Sequence, residues 1–259
     1  MKHYTRDNSG NGYNGTIYGS PTCENTIRGN GLYFNSNSND DYVQINGLSI
    51  DIIPLTIVAW VSPDYRYDWD QGAQWYGSEY PNNVVSGDQA GSGGFGFGLN
   101  YISNLSKLEF QVETHPQHNI VELINYDNLK YFFIATVYQA DEVLTYLGTS
   151  TAPPSFIKAI SNLGGLTGNK NYTLIGRHNF EPSWGIKNPF RGIIDEVRIY
   201  NRALSEAEVM VLYGATAPGI ISDANHNGIP DIYEYQYGFR GSAGYSADPR
   251  QYEHRQLCV

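Results

Sequence analysis

The chain is poor in charge, and poorest in positive charge. Of its 259 residues only 16% are Asp, Glu, Lys or Arg, and 16 Lys+Arg stand against 26 Asp+Glu, a formal net charge of −10. Gathering phosphates takes a basic patch, and the sequence holds no basic run, so nucleic acid is excluded as an expected partner. No stretch of about 18 apolar residues occurs, so no membrane-spanning helix is expected. The 2 cysteines, Cys23 and Cys258, allow at most one intrachain disulfide and are too few for a Cys-based zinc site. The N-terminus, MKHYTRDNSG, lacks the apolar centre of a signal peptide. Little Lys with much Tyr and Asn suits a secreted, extracellular protein. On that expectation the chain is the mature piece of a longer precursor.

Against these shortages stand 41% hydrophobic residues, enough for a core, with 28 Gly and 22 Tyr. Many Gly, Tyr, Asn and Thr favour strands and turns over helices. Short β-like runs recur between turn signals: 31–45, 55–61, 94–99, 108–112, 131–138, 143–147, 172–175 and 193–200. Such spacing predicts a sandwich or barrel. One helix is signalled. Ser205 is its N-cap, Glu208 completes a capping box, Leu204 and Val209 take the staple positions, and Gly214 is expected to stop it after about two turns. Beyond Gly214 apolar periodicity is lost, so 1–214 is expected to be one domain and 215–259 a linker and tail.

Three motifs are weak. Gly91–Gly96 matches G-x-G-x-x-G but leads into an alternating strand rather than a helix, so it is expected to be turn plus strand. His115 and His118 form H-x-x-H without a third ligand nearby, which favours a polar loop over a zinc site. Sequons stand at Asn14, Asn104 and Asn171. No H-E-x-x-H or G-x-S-x-G occurs.

One motif is strong. In DANHNGIPDIYE, Asp223, Asn225, Asn227, Asp231 and Glu234 place oxygens at positions 1, 3, 5, 9 and 12. Gly228 takes position 6 and Ile229 offers a carbonyl at 7. This is the spacing with which one short segment wraps calcium (Ca2+) in about seven oxygens. The bland alternative is a polar surface turn.

Between Asp64 and Asn83 the chain packs Tyr65, Tyr67, Trp69, Trp75, Tyr76 and Tyr80 among Asp, Asn and Gln, with no large aliphatic residue. Aromatic faces stack on sugar C–H faces, and the neighbouring polar groups bond hydroxyls. Glycan binding, an oligomer interface and a self-packed loop all remain open for it.

The order of several segments carries a resemblance. Phe190–Tyr213 (FRGIIDEVRIYNRALSEAEVMVLY) resembles the closing segment of laminin-G-like, concanavalin A-like lectin domains. Asp7–Thr16 resembles their opening D-x-S-G-N-x-x-x-G-T motif, Leu32–Ile45 their D-D-Y-V strand pair, and Leu55–Pro63 their T-I-x-x-W-V-x-P strand. The G-I-P-D core of the calcium loop resembles thrombospondin type 3 and dockerin-like loops. The resemblance implies an all-β fold: a two-sheet antiparallel jelly-roll β-sandwich with one short helix and a C-terminal calcium-loop tail. It implies a second calcium site near Asp7 and Asp195, with Asn11 a weaker match. Strand alternation groups Asp195 with Ile193, Val197 and Ile199, and an inward carboxylate costs several kcal/mol unless a metal or backbone donors compensate it. The strand that precedes the opening motif in the family is reduced here to Met1–Arg6, so the first edge is short or supplied elsewhere.

Three functions fit these features. The first is a secreted, non-catalytic, calcium-stabilised lectin-like module for glycan or extracellular matrix. The second is a structural subunit of an extracellular calcium-dependent assembly, self-associating through the incomplete sheet edge. The third is a polysaccharide hydrolase or lyase, although the E-x-D-x-x-E pair of glucanases on this fold is absent.

Overall fold

A computed structural model describes residues 4–26, 29–35, 41–51, 53–64, 82–87, 95–102, 107–113, 118–125, 131–140, 142–161, 171–178, 189–216 and 255–256. Two antiparallel sheets face each other. The front sheet runs β10 (His118–Asn125), β9 (Lys107–Glu113), β8 (Gly96–Ile102), β7 (Asn82–Ser86), β14 (Tyr172–Ile175), β5 (Tyr42–Asn46), β2 (Gly15–Tyr18), β1 (Tyr4–Asp7). The back sheet runs β3 (Thr22–Thr26), β4 (Gly29–Phe34), β15 (Gly192–Tyr200), β6 (Leu55–Pro63), β11 (Phe132–Gln139), β12 (Glu142–Thr149), β13 (Ala152–Ser161). The expected jelly-roll sandwich is what the chain forms.

The alternating strands bury one face each. In β5, Val43 and Ile45 enter the core while Tyr42, Gln44 and Asn46 face outward. The core between the sheets joins these to Ile57, Ala59, Val61, Phe97, Leu99, Phe110, Phe132, Ile134, Ile194 and Val197. Tyr138 of β11 crosses it: its buried hydroxyl donates to the Gly96 carbonyl at 2.5 Å and accepts from the Gly96 amide at 3.2 Å. The tyrosine therefore couples the two sheets without an unsatisfied polar atom.

β6 does not alternate; all nine residues of LTIVAWVSP are buried. Its second apolar face is covered by helix α1 (Glu206–Thr216), which lays Val209, Met210, Leu212 and Tyr213 on Val58, Trp60, Phe133, Ala135 and Tyr200. Trp60, Phe133 and Tyr213 form an aromatic trio with centroids 5.4–5.6 Å apart. The capping box is present: the Ser205 amide donates to Glu208 Oε2 at 2.8 Å and the Glu208 amide to Ser205 Oγ at 3.3 Å. Gly214 does not stop the helix, which continues to Thr216. Packing of Leu212 and Tyr213 on the sheet holds that last turn, outweighing the roughly 1 kcal/mol helix cost of glycine.

Other expectations change or become specific. His118 lies in β10 rather than in a polar loop, paired opposite Glu113. The first edge, expected to be short or supplied elsewhere, is supplied by β16 (Arg255–Gln256), which pairs with Arg6 and Asp7 of β1 on one side and with Val197 of β15 on the other. The last described residues thus belong to the sandwich, and Cys23 of β3 is disulfide-bonded, Cys258 being the sequence's one other cysteine. Strands β1, β2, β3, β7, β10 and β13 are additional to those expected. The calcium loop and residues 217–222 of the expected linker lie outside the described residues.

Trp60→Ala is expected to remove about 3–5 kcal/mol of unfolding free energy, and Ser205→Ala about 1 kcal/mol. Urea denaturation of the two variants checks the ranking; equal losses would show that the helix does not rest on Trp60.

Candidate functional site

Asp7 ends β1 and organises the turn that follows. Its Oδ1 accepts the Ser9 amide at 2.9 Å and its Oδ2 the Tyr13 amide at 2.7 Å, while its own amide donates to Asn14 Oδ1 at 2.9 Å. Ser9 Oγ accepts the Asn11 amide at 3.1 Å. Gly10 and Gly12 take φ of 85° and 81°, the left-handed conformation that the tight path requires. The D-N-S-G-N-G-Y-N sequence is thus a carboxylate wrapped by backbone N–H groups, with Asn11 and the Asn14 side chain used inside the turn.

Asp195 is buried at 2% exposure, but not on the face that simple alternation gives it. Ile194 and Val197 both enter the inter-sheet core. The register slips between Asp195 and Arg198, and Glu196 sits at φ 51°. This β-bulge switches parity, so Asp195 pairs with Trp60 on the outer side of the back sheet, while Ile194 before the bulge and Val197 and Ile199 after it enter the core. The expected grouping of Asp195 with Val197 and Ile199 is therefore corrected. Its Oδ2 accepts the Thr26 hydroxyl at 2.5 Å and its Oδ1 the Glu196 amide at 2.8 Å. Arg198, one residue past the bulge, donates to Glu196 Oε2 at 2.6 Å. Burial pushes the Asp195 carboxyl above its ordinary 3.8, opposed by the Thr26 hydroxyl. Burial also raises the Tyr131 hydroxyl, with the Asp195 and Glu24 charges adding to it.

Asp7 and Val197 lie on either side of Arg255, so β16 separates the two carboxylate-bearing strands. Calcium takes six to eight oxygens. Around these two carboxylates the described partners are N–H and O–H donors, and no group of three or more His, Cys, Asp or Glu is placed to hold a metal among the described residues. That donor set suits hydrogen-bonded carboxylates and does not by itself make a calcium shell.

The six aromatics of residues 65–80 lie outside the described residues, but their anchors are described. Asp64 closes β6: its amide donates to the Arg191 carbonyl at 3.1 Å and its Oδ2 accepts the Tyr33 hydroxyl at 3.0 Å. Burial, then the Asp64 acceptor, raises the Tyr33 hydroxyl pKa. A Cβ on Gly192 (φ 128°) would stand 2.3 Å from the Ser62 carbonyl oxygen, so glycine is required for this close approach. Asn83 bridges to Pro189. In the front sheet, register places the start of β7, with Asn83, at the same end as Tyr18 and Tyr42. The Asp7 turn leads into Gly15, opposite Ile45, at the other end.

Sequence reasoning missed one cluster at the anchor end. Tyr18 and Tyr42 are cross-strand partners whose rings stack at 4.5 Å and 2°. The Arg177 guanidinium lies 3.7 Å from the Tyr42 centroid. The outward parity of Tyr42, opposite to Val43 and Ile45, was readable; its pairing with Tyr18 was not, because β2 is only four residues long.

A family model described as the concanavalin A-like lectin/glucanases superfamily matches residues 37–210. No curated protein matches the chain. The solved structures similar to the chain include the following three. Domain 4 of an extracellular GH43 arabinanase from Geobacillus stearothermophilus, in complex with arabinotriose, is 15% identical, covering 75% of this chain and 81% of that one at TM-score 0.49. A native heptameric SAP-like pentraxin from Limulus polyphemus is 12% identical, covering 63% and 70% at 0.45. The enzymatically active domain of bacteriophage CBA120 tailspike protein 2 is 10% identical, covering 78% and 30% at 0.50. At that identity the tailspike likeness bears on the fold alone.

Burial raises the folded Asp195 pKa above the ordinary 3.8, so between those values the native state binds more protons than the unfolded state. Stability from this group is lost as pH rises through that window. Asp195→Asn keeps the acceptor for Glu196 and removes the buried charge. In calcium-free buffer it is expected to equal or exceed the wild type at pH 7 by up to about 1–2 kcal/mol, the gap closing as pH falls. Denaturation from pH 3 to pH 7 checks this; a loss of more than about 2 kcal/mol at neutral pH would show that the charge itself is needed.

Proposed function

Since the chain belongs to the concanavalin A-like lectin/glucanases superfamily, we propose that it is a secreted, non-catalytic module that binds glycan, in free or matrix-bound form, and is stabilised by calcium. The observation that carries this reading is the family match over the sandwich, joined to an aromatic-rich connection at one end of it. Tyr65, Tyr67, Trp69, Trp75, Tyr76 and Tyr80 fall between two strands whose ends are pinned by Asp64, Gly192 and the Asn83–Pro189 bridge. A rigid scaffold with function on its connections is the usual division of labour.

The non-catalytic part rests on use. Among the described residues the buried carboxylates Asp7, Asp41, Asp64 and Asp195 each accept hydrogen bonds from protein donors. Glycoside hydrolysis needs two carboxyls flanking a cleft, one of them free to protonate the leaving group. Secretion is supported by the disulfide at Cys23, which persists in an oxidising compartment. Calcium is assigned to Asp223, Asn225, Asn227, Ile229, Asp231 and Glu234 on their spacing, and the ion would supply charge neutralisation and order rather than reaction chemistry. At Asp7, Asn11 and Asp195 the donors described above favour the hydrogen-bonded alternative.

Structural assembly is the second reading. With β1 closed by β16, self-association would use another edge, and β13 is an outermost strand with Phe156 49% exposed. Pro153 and Pro154 in that strand interrupt its pairing capacity, which weighs against it.

Two measurements test the proposal. At a hundredfold excess of calcium over its Kd, stability gains about 2.7 kcal/mol, so chelation is expected to lower the Tm by roughly 5–10 °C. A Tm indifferent to chelator sinks the calcium assignment. A glycan array, run with calcium and with chelator, is expected to show binding that Trp69→Ala and Trp75→Ala weaken about tenfold; polysaccharide turnover by the wild type would overturn the non-catalytic assignment.

A further inference from the structure

We propose that Asn11 is a site of spontaneous covalent modification, where the Gly12 backbone nitrogen attacks the Asn11 side chain and converts it, through a cyclic imide, to aspartate and iso-aspartate. The co-reactant is water. This goes beyond the glycan-binding reading and does not depend on it. Ring closure forms a bond between the Gly12 nitrogen and Asn11 Cγ and releases the side-chain nitrogen as ammonia. Water then opens either imide carbonyl. One opening gives aspartate; the other gives iso-aspartate, in which the main chain runs through the side-chain methylene. Each event adds one negative charge to a chain already at −10.

The sequence holds five Asn–Gly pairs, at Asn11, Asn14, Asn30, Asn46 and Asn227, the last outside the described residues. Glycine favours the reaction because it leaves the attacking nitrogen uncrowded, and structure selects among the pairs. Gly15 lies in β2 between β1 and β5, opposite Thr5 and Ile45, and Asn14 Oδ1 accepts the Asp7 amide. Asn30 and Gly31 lie inside β4, opposite Asn25 and Glu24. The Gly47 amide donates to the Asn171 carbonyl at 2.7 Å, and Asn46 Oδ1 accepts from Gln44. An extended backbone does not present the next amide nitrogen to the side-chain carbonyl carbon, and a bonded glycine amide must first give up its partner. Asn11–Gly12 differs on each count. Both residues are exposed and lie in the turn between β1 and β2. Among the described residues no hydrogen bond takes up the Gly12 amide. Nothing lies within 4 Å of where a Cβ on Gly12 would stand, so the ring has room to form.

The site sits inside the loop that Asp7 closes. Its two carboxylate oxygens hold the Ser9 amide on one side of Asn11 and the Tyr13 amide on the other. An iso-aspartyl link lengthens the main chain by one methylene between those two donors, so the loop no longer fits both oxygens. The ladder beside it is short: β1 meets β2 at Tyr4 and Thr5, and β16 at Arg6 and Asp7. Loss of the Asp7 bonds therefore loosens the β1 edge. The aspartyl product keeps the native main-chain path and adds a carboxylate to the same turn. Hydrolysis does not run backwards, so the turn ages in one direction.

Peptide mapping of the full chain, aged at mildly alkaline pH, tests this, with the urea-unfolded chain aged alongside. Unfolded, the four described pairs are expected to convert at similar rates. Folded, Asn11 is expected to convert about tenfold faster than Asn14, Asn30 or Asn46, the ratio for roughly 1.4 kcal/mol of extra barrier at those sites. Its peptide is expected to become a methyl acceptor for protein iso-aspartyl methyltransferase. Over the same ageing the wild type is expected to lose roughly 3–6 °C of Tm more than Asn11→Gln does, the shift for one charge-assisted hydrogen bond in a domain of this size. Should Asn11→Gln not fold, the wild-type peptide map decides. Conversion of Asn11 in the folded chain no faster than at the other three overturns the assignment. Full conversion of Asn11 with no extra loss of Tm overturns its link to the Asp7 turn.

Discussion

Strand β6 is apolar on both faces, and the rest of the architecture answers that constraint. A strand buried on one side needs one partner layer, whereas Leu55–Pro63 needs two. The inner side is covered by the front sheet through Val43, Ile45, Phe97 and Phe110. The outer side is covered by α1, which must arrive immediately after β15 because β15 is the neighbour of β6. Thr56 fixes that arrival: its hydroxyl donates to the Arg202 carbonyl at 2.8 Å and accepts the Leu204 amide at 3.0 Å. Tyr213 completes it by donating to the Thr149 carbonyl at 2.8 Å, across the aromatic trio. The helix thereby closes the outer side of the back sheet at Val58, Trp60 and Phe133.

A second constraint follows at β15. The strand must present Ile194 to one core and, six residues on, Tyr200 to the other, while keeping Val197 and Ile199 inward. Strict alternation would put Ile194 and Val197 on opposite faces. One residue, Glu196, resolves this by entering the left-handed region, at a cost of roughly 1–2 kcal/mol for a residue with a Cβ. The Glu196 amide then donates to Asp195 and its carboxylate accepts from Arg198, so each of these two neighbours is bonded to Glu196 at the bulge. Asp195 is therefore intelligible as part of a backbone device, whatever further partner it takes.

Legibility in the sequence follows from how far each signal reaches. Long apolar runs such as 55–61 and 131–138 announce strands because their burial is written into composition alone. The capping box was legible because its partners lie three residues apart. The bulge was not, because Glu196 is an unremarkable residue type whose conformation is imposed by the two cores. β13 carries two prolines that argue against a strand, and tertiary pairing with β12 overrides them. β16 is two residues long, and only its neighbours β1 and β15 make it a strand. Among site residues, Asp7 and Asp195 were found by motif, and their donors only by structure. Tyr18 with Tyr42 was missed because a cross-strand pair leaves no trace in sequence spacing.

The closure of β1 by β16 bears on how calcium would matter. Two residues of pairing cannot hold a strand by themselves, since each ladder bond contributes only about 1 kcal/mol net against a similar backbone ordering cost per residue. Something must therefore reduce the freedom of the long segment that precedes Arg255. A calcium ion wrapped by residues 223–234 would shorten that segment's effective length, and a disulfide at Cys23 would tether it; both act by lowering the entropy of closing the edge. Bound there, calcium would act on the closure of the β1 edge, where Arg6 and Asp7 meet Gln256 and Arg255.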